Sequence, residues 1–192
     1  MQIKEQLSAA AVEMAHLVKG LDEAQFSLPT PCDDYTVRQL VNHLIAWCPV
    51  VEAIGIGMPL APGRPDERVD YLAGDWRGRF LASLDRIRDS WQRDTPWEGN
   101  TELGFANVPS VIIGEKTLLE YVLHGWDLAT ATGQELACDP KTSAAALRVT
   151  LNTAAMSRKS GMFKPEVAVP RTAPVLDQAL GASGRDPNWA AA

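Results

Sequence analysis

The sequence predicts an all-α protein: a four-helix bundle with a long crossover connection and a short extended and helical C-terminal tail. Three observations support this fold class. Apolar residues recur in several long segments at the three-to-four-residue spacing of an amphipathic helix. Prolines and glycines are concentrated between these segments. One interrupted segment, residues 94–114, is long enough for a connection that crosses the end of a bundle.

The first predicted helix covers residues 2–19, and Gly20 is expected to end it. A short helical turn is expected over Asp22–Phe26, before the break at Pro29–Thr30–Pro31. The apolar positions of the first helix lie on one face. They are Ile3, Leu7, Ala10, Ala11, Met14, Leu17 and Val18.

Thr36 is a suitable N-cap for a second helix that runs to about Ile56, and Pro49 predicts a bend or an early end. Residues 60–65 are rich in proline and predict a loop. A third helix is predicted from about Asp66 to Arg93, with apolar residues at close to heptad spacing. These are Val69, Ala73, Trp76, Phe80, Leu84, Ile87 and Trp91.

Residues 94–114 predict the crossover, with extended structure over Val108–Ile113. A fourth helix is predicted over Glu115–Thr132, with Gly133 as its stop signal. Its apolar stripe consists of Leu118, Leu119, Val122, Leu123, Trp126 and Ala129.

Asp139 is the expected N-cap of a fifth helix over Pro140–Arg158. The tail predicts an extended piece at Val167–Pro170 and a short helix over Pro174–Leu180. Trp189 is expected to pack on the bundle and hold the C-terminus in place.

The bulk composition predicts one soluble domain over residues 1–192. The chain is 46% hydrophobic and 22% charged, and its net charge of −6 comes with scattered lysines and arginines. Such a surface does not match a nucleic acid. The sequence shows no signal peptide and no apolar run of about 18 residues, so no membrane segment is expected. Three widely spaced cysteines (Cys32, Cys48 and Cys138) predict no disulfide framework and favour the cytoplasm.

Few residues can carry chemistry. The three histidines are His16, His43 and His124. His124 follows Glu120 by four residues, so both side chains lie on one helix face, where they can chelate a divalent ion. Asp127 is three residues further along and can orient the His124 imidazole through its other nitrogen. The alternative is that Glu120, His124 and Asp127 form a solvated polar face, and spacing alone does not connect them to His43.

Three segments resemble a known family. They are TPCDDYTVRQLVNHLIAW, LLEYVLHGWDLATATG and FKPEVAVPRTAPVLDQALGASGRDPNW. They are similar to actinobacterial metal-binding proteins of the DinB-like superfamily, which are related to the N-terminal domain of mycothiol-dependent maleylpyruvate isomerase. The resemblance implies a four-helix bundle with a long crossover. One departure is Tyr35, which stands where relatives often have tryptophan.

The resemblance also implies a metal site. The ligands in that family are a histidine in the second helix and a later Glu-x-x-x-His pair, which correspond here to His43, Glu120 and His124. Zinc is the expected metal, with nickel or iron as alternatives. Mycothiol is the implied cosubstrate. The isomerase has a second domain for which this chain leaves no room, so isomerase activity is not a firm expectation.

Three functional hypotheses follow. The first is a metal-dependent transferase or isomerase that uses a low-molecular-weight thiol, which the metal would activate by lowering the pKa of the thiol. The second is a metal- or ligand-binding protein, or an interaction protein, without catalysis. The third is metal-assisted hydrolysis through bound water. The exposed helix faces allow a homodimer, although no residue specifically predicts one.

Other residues have two interpretations each. Cys32 precedes the second helix and is either a thiol with a lowered pKa or, as we favour, a small buried hydrophobic residue. Cys48 is expected to pack in the core, and His16 to lie at the surface. Trp47 is expected in the core, with a place in a substrate pocket as the alternative.

Overall fold

The computed structural model describes residues 3–61, 63–104 and 106–191. The described segments are predominantly α-helical, as predicted. The α-helices are α1 (Lys4–Gly20), α2 (Val37–Ile56), α3 (Trp76–Trp91), α4 (Ser110–Thr132), α5 (Pro140–Lys159) and α6 (Val175–Ser183). Single 3-10 turns occupy Glu23–Gln25 and Thr95–Trp97, and the strands β1 (Asn100–Glu102) and β2 (Asn107–Pro109) form an antiparallel hairpin.

Helices α1 to α4 form the bundle. Helix α1 packs against α3 and α4, and α2 packs against the same two helices, so α1 and α2 lie diagonally across the bundle. Helix α5 lies outside against α4 and α1, and α6 packs on α5. This arrangement brings α2 and α4 side by side, which matters because the predicted metal ligands lie on these two helices.

The second helix begins where its sequence predicts. The Thr36 hydroxyl accepts from the peptide N–H of Gln39 at 3.4 Å, and the Gln39 side chain accepts from the N–H of Thr36 at 2.9 Å, which completes a capping box. Helix α2 continues past Pro49 and ends at Ile56, followed by Gly57 as its cap, whose φ of 71° favours glycine. The predicted end near Ile56 is therefore confirmed, and Pro49 does not shorten the helix.

The first helix differs slightly from its prediction. Its predicted start at residue 2 lies outside the described residues, and the described helix begins at Lys4. Gly20 is the last helical residue rather than a residue beyond the end, because the chain turns to an extended conformation only at Leu21.

The third helix begins at Trp76, ten residues later than predicted. The buried side chain of Asn42 donates to the carbonyls of Glu67 at 2.9 Å and Val69 at 3.0 Å and accepts from the N–H of Tyr71 at 2.8 Å. These three hydrogen bonds use backbone carbonyl and N–H groups that would pair with one another in a helix, so the segment before Trp76 is not helical. Val69 is consequently 48% exposed instead of buried in the predicted stripe.

The Ala73 position of that stripe is also exposed, and Asp75 caps α3 by accepting from the N–H of Gly78 at 3.0 Å. The later members of the stripe were predicted correctly and are buried. They are Trp76, Phe80, Leu84, Ile87 and Trp91.

Helix α4 begins at Ser110, so the predicted extended structure over Val108–Ile113 holds only as far as Pro109. The predicted crossover extended to residue 114, but Gly114 lies within α4. A Cβ atom on Gly114 would lie 2.4 Å from the Trp97 ring and 2.7 Å from the Trp91 ring. Glycine is therefore required here by tertiary packing and not by a turn.

The C-terminal part follows its prediction in outline. Asp139 caps α5 by accepting from the N–H groups of Lys141 at 2.8 Å and Thr142 at 3.1 Å. Residues 167–170 form no strand, although the N–H of Val167 donates to the carbonyl of Gly181 at 3.0 Å. The tail helix extends three residues beyond the predicted end at Leu180, to Ser183.

Helix α2 is long and apolar enough to cross a membrane by length and composition alone, with a mean hydropathy of 1.3 over an 18-residue window. From the sequence no membrane segment is expected, because polar residues interrupt the apolar runs. In α2 these polar residues are too few to make the mean hydropathy low. Within the bundle, 56% of that window is buried. A core helix has the same character, so the observation is weak evidence for a membrane.

The loop before α3 provides a stability test. Replacing Asn42 by alanine removes three hydrogen bonds, and we expect the free energy of unfolding to fall by about 1–3 kcal/mol. Arg38→Ala is the matched control, because Arg38 holds the same loop through an exposed ion pair with Asp70 at 3.0 Å. The control should lose less than about 1 kcal/mol. Chemical denaturation checks both, and equal losses would contradict the role given to Asn42.

Candidate metal site

The structure brings the three predicted ligands together in the contact between α2 and α4. The Nε2 atom of His43, on α2, lies 3.3 Å from Oε2 of Glu120, on α4. The Nε2 atom of His124, one turn further along α4, lies 3.3 Å from the same oxygen. Both imidazoles are largely buried, whereas 43% of the Glu120 side chain remains exposed. The site is therefore accessible from the Glu120 side.

These distances fit a metal ion. Zinc binds histidine nitrogen and carboxylate oxygen at about 2.0–2.1 Å, and two ligand atoms on a tetrahedron of that size are about 3.3–3.4 Å apart. The two contacts to Glu120 have this separation, and all three ligand atoms lie within 4.8 Å of one another. The donor set of two nitrogens and one oxygen suits a divalent transition metal. Metal binding by these residues remains a prediction.

The His43 imidazole is held from behind by Glu67, which sequence reasoning missed. Oε1 of Glu67 lies 2.9 Å from Nδ1 of His43 and also accepts from the indole N–H of Trp47 at 3.1 Å. The Tyr35 hydroxyl donates to Oε2 of Glu67 at 3.2 Å. Glu67 lies in an irregular loop, where one acidic residue among several gives no periodic signal.

The position of Trp47 corrects the expectation that it packs in the core. The residue is only half-buried and lines the groove beside the predicted ligands, together with His43 and Glu120. Its N–H bond to Glu67 gives the indole a fixed direction. The alternative interpretation, a place in a substrate pocket, agrees with this geometry.

The His124 imidazole is held by Asp127, as the spacing suggested. Oδ2 of Asp127 lies 2.8 Å from Nδ1 of His124. Asp127 is 0% exposed, so the solvated-face interpretation is wrong for this residue. Arg185 follows α6 and donates to both Asp127 oxygens, from Nε at 2.9 Å and from Nη2 at 2.7 Å. This planar two-point contact neutralises the buried carboxylate.

Arg185 was also missed in the sequence, because a single arginine in a tail gives no periodic signal. Its Nη1 atom donates to the Ser183 hydroxyl at 3.1 Å, and Arg185 itself is buried. Trp189, the expected anchor of the tail, is half-buried. The described contacts therefore make Arg185 the residue that fixes the tail to α4.

The charges of the site interact strongly. Burial alone would raise the pKa of Glu120, but its hydrogen bond with His43 and the positive charges of His124, His43 and Arg185 lower it to about 2. Burial acts to lower the pKa of His43, yet contacts with Glu120 and Glu67 raise it overall. The pKa of Asp127 is lowered, because Arg185 and His124 outweigh its burial. The pKa of Glu67 is also lowered, because the contacts with His43, Trp47 and Tyr35 outweigh its partial burial. The three carboxylates Glu67, Glu120 and Asp127 are therefore ionised at neutral pH.

Cys32 does not have the properties of a reactive thiolate. Burial, followed by the negative charge of Asp127, raises the pKa of the Cys32 thiol to about 11. Cys32 nevertheless lies near His124 and Asp127, and one potential ligand atom from each of the three lies within 4.8 Å of the others. This second grouping is a geometric alternative to the His43–Glu120–His124 site.

The other cysteine and histidine predictions are confirmed. Cys48 is buried, and its thiol donates to the carbonyl of Leu44 at 3.3 Å. His16 is exposed on α1. Cys32, Cys48 and Cys138 are all free of disulfide bonds.

The fold and the site together define a helical-bundle protein with a His–Glu–His cluster between two of its helices. The sequence model of the mycothiol maleylpyruvate isomerase N-terminal domain family matches residues 7–129. The chain belongs to this family. The matched range covers α1 to α4 up to residue 129, including all three predicted ligands, and ends before the tail that contains Arg185.

Similar proteins are found in Mycobacterium tuberculosis. Uncharacterized protein Rv0738 (strain ATCC 25618 / H37Rv) and Uncharacterized protein MT0763 (strain CDC 1551 / Oshkosh) are each 28% identical over 176 residues. The alignments cover 89% of this chain and 91% of each relative.

A solved structure shares the fold. The crystal structure of the mycothiol-dependent maleylpyruvate isomerase aligns with a TM-score of 0.62 and 14% sequence identity. The alignment covers 98% of this chain and 91% of the isomerase chain. The shared fold therefore extends over nearly all of that solved chain.

The buried ion pair allows a second stability test. Arg185→Met leaves the Asp127 carboxylate buried without its partner, and we expect the free energy of unfolding to fall by about 3–5 kcal/mol. Arg86→Met is the matched control, because Arg86 pairs with Glu52 at the surface at 2.7 Å, and it should lose at most about 1 kcal/mol. A double variant, Asp127→Leu with Arg185→Met, should recover part of the loss. Similar losses in Arg185→Met and Arg86→Met would contradict the importance given to the buried pair.

Proposed function

We propose that the protein binds one divalent metal ion through His43, Glu120 and His124 and acts as a metal-dependent transferase or isomerase that uses a low-molecular-weight thiol such as mycothiol. One observation carries this proposal. The Nε2 atoms of two imidazoles face the same carboxylate oxygen at 3.3 Å, and each imidazole has another carboxylate at its Nδ1 atom.

The hydrogen bonds at Nδ1 support a metal ligand at Nε2. When Nδ1 donates its proton to Glu67 or Asp127, the Nε2 lone pair of each histidine points towards the Glu120 oxygen. Lone pairs and a carboxylate oxygen repel one another at this distance, and either protons on the imidazoles or a cation between the three groups removes the repulsion. A carboxylate behind each metal-bound histidine is the usual arrangement in metal sites, because it fixes the tautomer and the ring direction.

The charge of the cluster also favours a divalent cation. Glu67, Glu120 and Asp127 contribute three negative charges, whereas Arg185 contributes one positive charge. With neutral imidazoles, the cluster has two more negative than positive charges, which a divalent cation balances. Zinc is the metal we expect, and nickel and iron suit the same donors.

A thiol cosubstrate follows from the chemistry of the site and from the family. A bound divalent cation supplies Lewis acidity, which lowers the pKa of a coordinated thiol and yields thiolate at neutral pH. The chain's own nearby thiol, Cys32, stays protonated because its pKa is raised to about 11. The nucleophile is therefore expected from outside, and the structural neighbour is described as mycothiol-dependent. We expect the protein to bind these small molecules in the cytoplasm. We expect neither nucleic acid nor a membrane as a partner.

Metal content tests the binding part of the proposal. We expect about one equivalent of metal in tag-free parent protein and less than about a tenth of that in His43→Ala and Glu120→Ala, because each variant loses a ligand. His16→Ala is the matched control, since it removes an exposed histidine and should keep the metal. Mass spectrometry measures the metal, and circular dichroism verifies the helices. Parent protein that stays metal-free after reconstitution with zinc or nickel would contradict the site.

Thiol-dependent turnover tests the catalytic part. Metal-loaded parent protein should accelerate the mycothiol-dependent conversion of a member of an electrophile panel that includes maleylpyruvate, and chelation or Glu120→Ala should reduce the rate at least about tenfold. Free thiol is followed over time to detect transfer, and the isomers of each electrophile are separated to detect isomerisation, which regenerates the thiol. A protein that binds metal but neither consumes mycothiol nor isomerises an electrophile of the panel would be a binding protein without this activity. Hydrolysis of panel esters without mycothiol would favour the hydrolytic hypothesis instead.

A further inference from the structure

Glu67 is the carboxylate of the cluster that comes from a loop. Glu120 and Asp127 lie on α4, whereas Glu67 lies between α2 and α3, and 34% of its side chain is exposed. A partly solvated glutamate loses side-chain freedom when one orientation is fixed, and one hydrogen bond contributes a free energy of similar size. The contact with Nδ1 of His43 at 2.9 Å is therefore not enough to hold this carboxylate in place.

Two further donors hold the Glu67 carboxylate, one at each oxygen. Oε1, which faces His43, also accepts from the indole N–H of Trp47 at 3.1 Å, and Oε2 accepts from the Tyr35 hydroxyl at 3.2 Å. Trp47 follows His43 by one helical turn on α2, so the same helix face provides both contacts to Oε1. A carboxylate bonded at both oxygens cannot turn about its terminal bond without losing a hydrogen bond.

Tyr35 is itself held in a fixed position. Its N–H donates to the carbonyl of Cys32 at 2.9 Å, and its carbonyl accepts from the Thr30 hydroxyl at 2.8 Å. Its ring lies beside both imidazoles of the site, with centroid distances of 5.2 Å to His43 and 6.3 Å to His124. The hydroxyl lies 3.3 Å from Nδ1 of His43, so Tyr35 reaches the Nδ1 side of that ring.

The direction of the His43 ring depends on Glu67. The imidazole lies between two carboxylates, with Nδ1 2.9 Å from Glu67 and Nε2 3.3 Å from Glu120. A neutral imidazole has one N–H, and the shorter contact with a fixed acceptor favours the proton on Nδ1. If Glu67 were free to move, the proton could lie on Nε2 and block the nitrogen that faces Glu120. Fixing Glu67 therefore keeps the Nε2 lone pair available.

We propose that Trp47 and Tyr35 are positioning residues of the predicted metal site: they hold the Glu67 carboxylate against Nδ1 of His43 and thereby keep Nε2 of His43 available for the metal. The inference rests on the proposed function for the metal. The His43 tautomer that these hydrogen bonds favour, however, can be measured without a metal.

Zinc affinity, measured by competition with a chromophoric chelator, tests the proposal. Glu67→Ala should weaken zinc binding about 10- to 100-fold, as is typical when a group that orients a ligand histidine is removed. Trp47→Phe and Tyr35→Phe each remove one donor and should weaken zinc binding about 3- to 10-fold. Because both residues act through Glu67, neither substitution should change the affinity more than about twofold in the Glu67→Ala background.

Trp76→Phe is the matched control. The indole N–H of Trp76 donates to the carboxylate of Glu23 at 3.0 Å, outside the site, so this variant should keep the zinc affinity of the parent. Circular dichroism verifies the helices of every variant. An equal loss of affinity in Trp76→Phe and Trp47→Phe would overturn the proposal, because the effect would then come from replacing tryptophan in general.

The tautomer of His43 is measured by heteronuclear NMR of the imidazole nitrogens, on metal-free protein at an alkaline pH where the ring is neutral. We expect the proton on Nδ1 in the parent and a larger share on Nε2 in Trp47→Phe and Tyr35→Phe. A proton on Nε2 in the parent, or losses of zinc affinity that are as large in the Glu67→Ala background as in the parent, would overturn the proposal. Parent protein that binds no zinc but shows the expected tautomers would contradict the proposed function alone.

Discussion

The two imidazoles of the site face one Glu120 oxygen because a carboxylate holds each of them from behind. Glu67 lies in a loop whose backbone is fixed by Asn42, one residue before His43 on α2. Asp127 is fully buried, and burying an unpaired carboxylate costs several kcal/mol. Arg185 offsets that cost by donating to both Asp127 oxygens, so the site requires the segment after α6 to pack against α4. Loop, tail and bundle therefore depend on one another through these carboxylates.

The same carboxylates connect stability to function. Three ionised carboxylates near one guanidinium create a local excess of negative charge, which protons on the histidines or a divalent cation can balance. A cation that binds only the folded protein stabilises the fold by mass action. The open side at Glu120 leaves the cation accessible to a small molecule, and the adjoining groove supplies apolar contacts. Thiol activation is thus expected at the exposed edge of the α2–α4 contact.

Local patterns were sufficient to predict most of the helices and the placement of Glu120 and His124 on one helix face. The apolar period, the Thr36 cap and the Glu-x-x-x-His spacing all act within a few residues, and a family resemblance supplied the third ligand. Long-range contacts explain the errors. Asn42 forms hydrogen bonds with the backbone of Glu67, 25 residues further along the chain, and Gly114 leaves space for tryptophans from other elements. Glu67 and Arg185 become recognisable only once the loop and the tail are placed beside the histidines.

Anomalous diffraction from crystals grown with zinc tests the central claim most directly. The structure predicts one strong zinc peak about 2.0–2.2 Å from Nε2 of His43, from Nε2 of His124 and from a Glu120 oxygen. The Nδ1 atoms should remain bonded to Glu67 and Asp127. A peak between Cys32 and Asp127, or no peak between α2 and α4, would contradict the assignment of these three residues as the metal ligands.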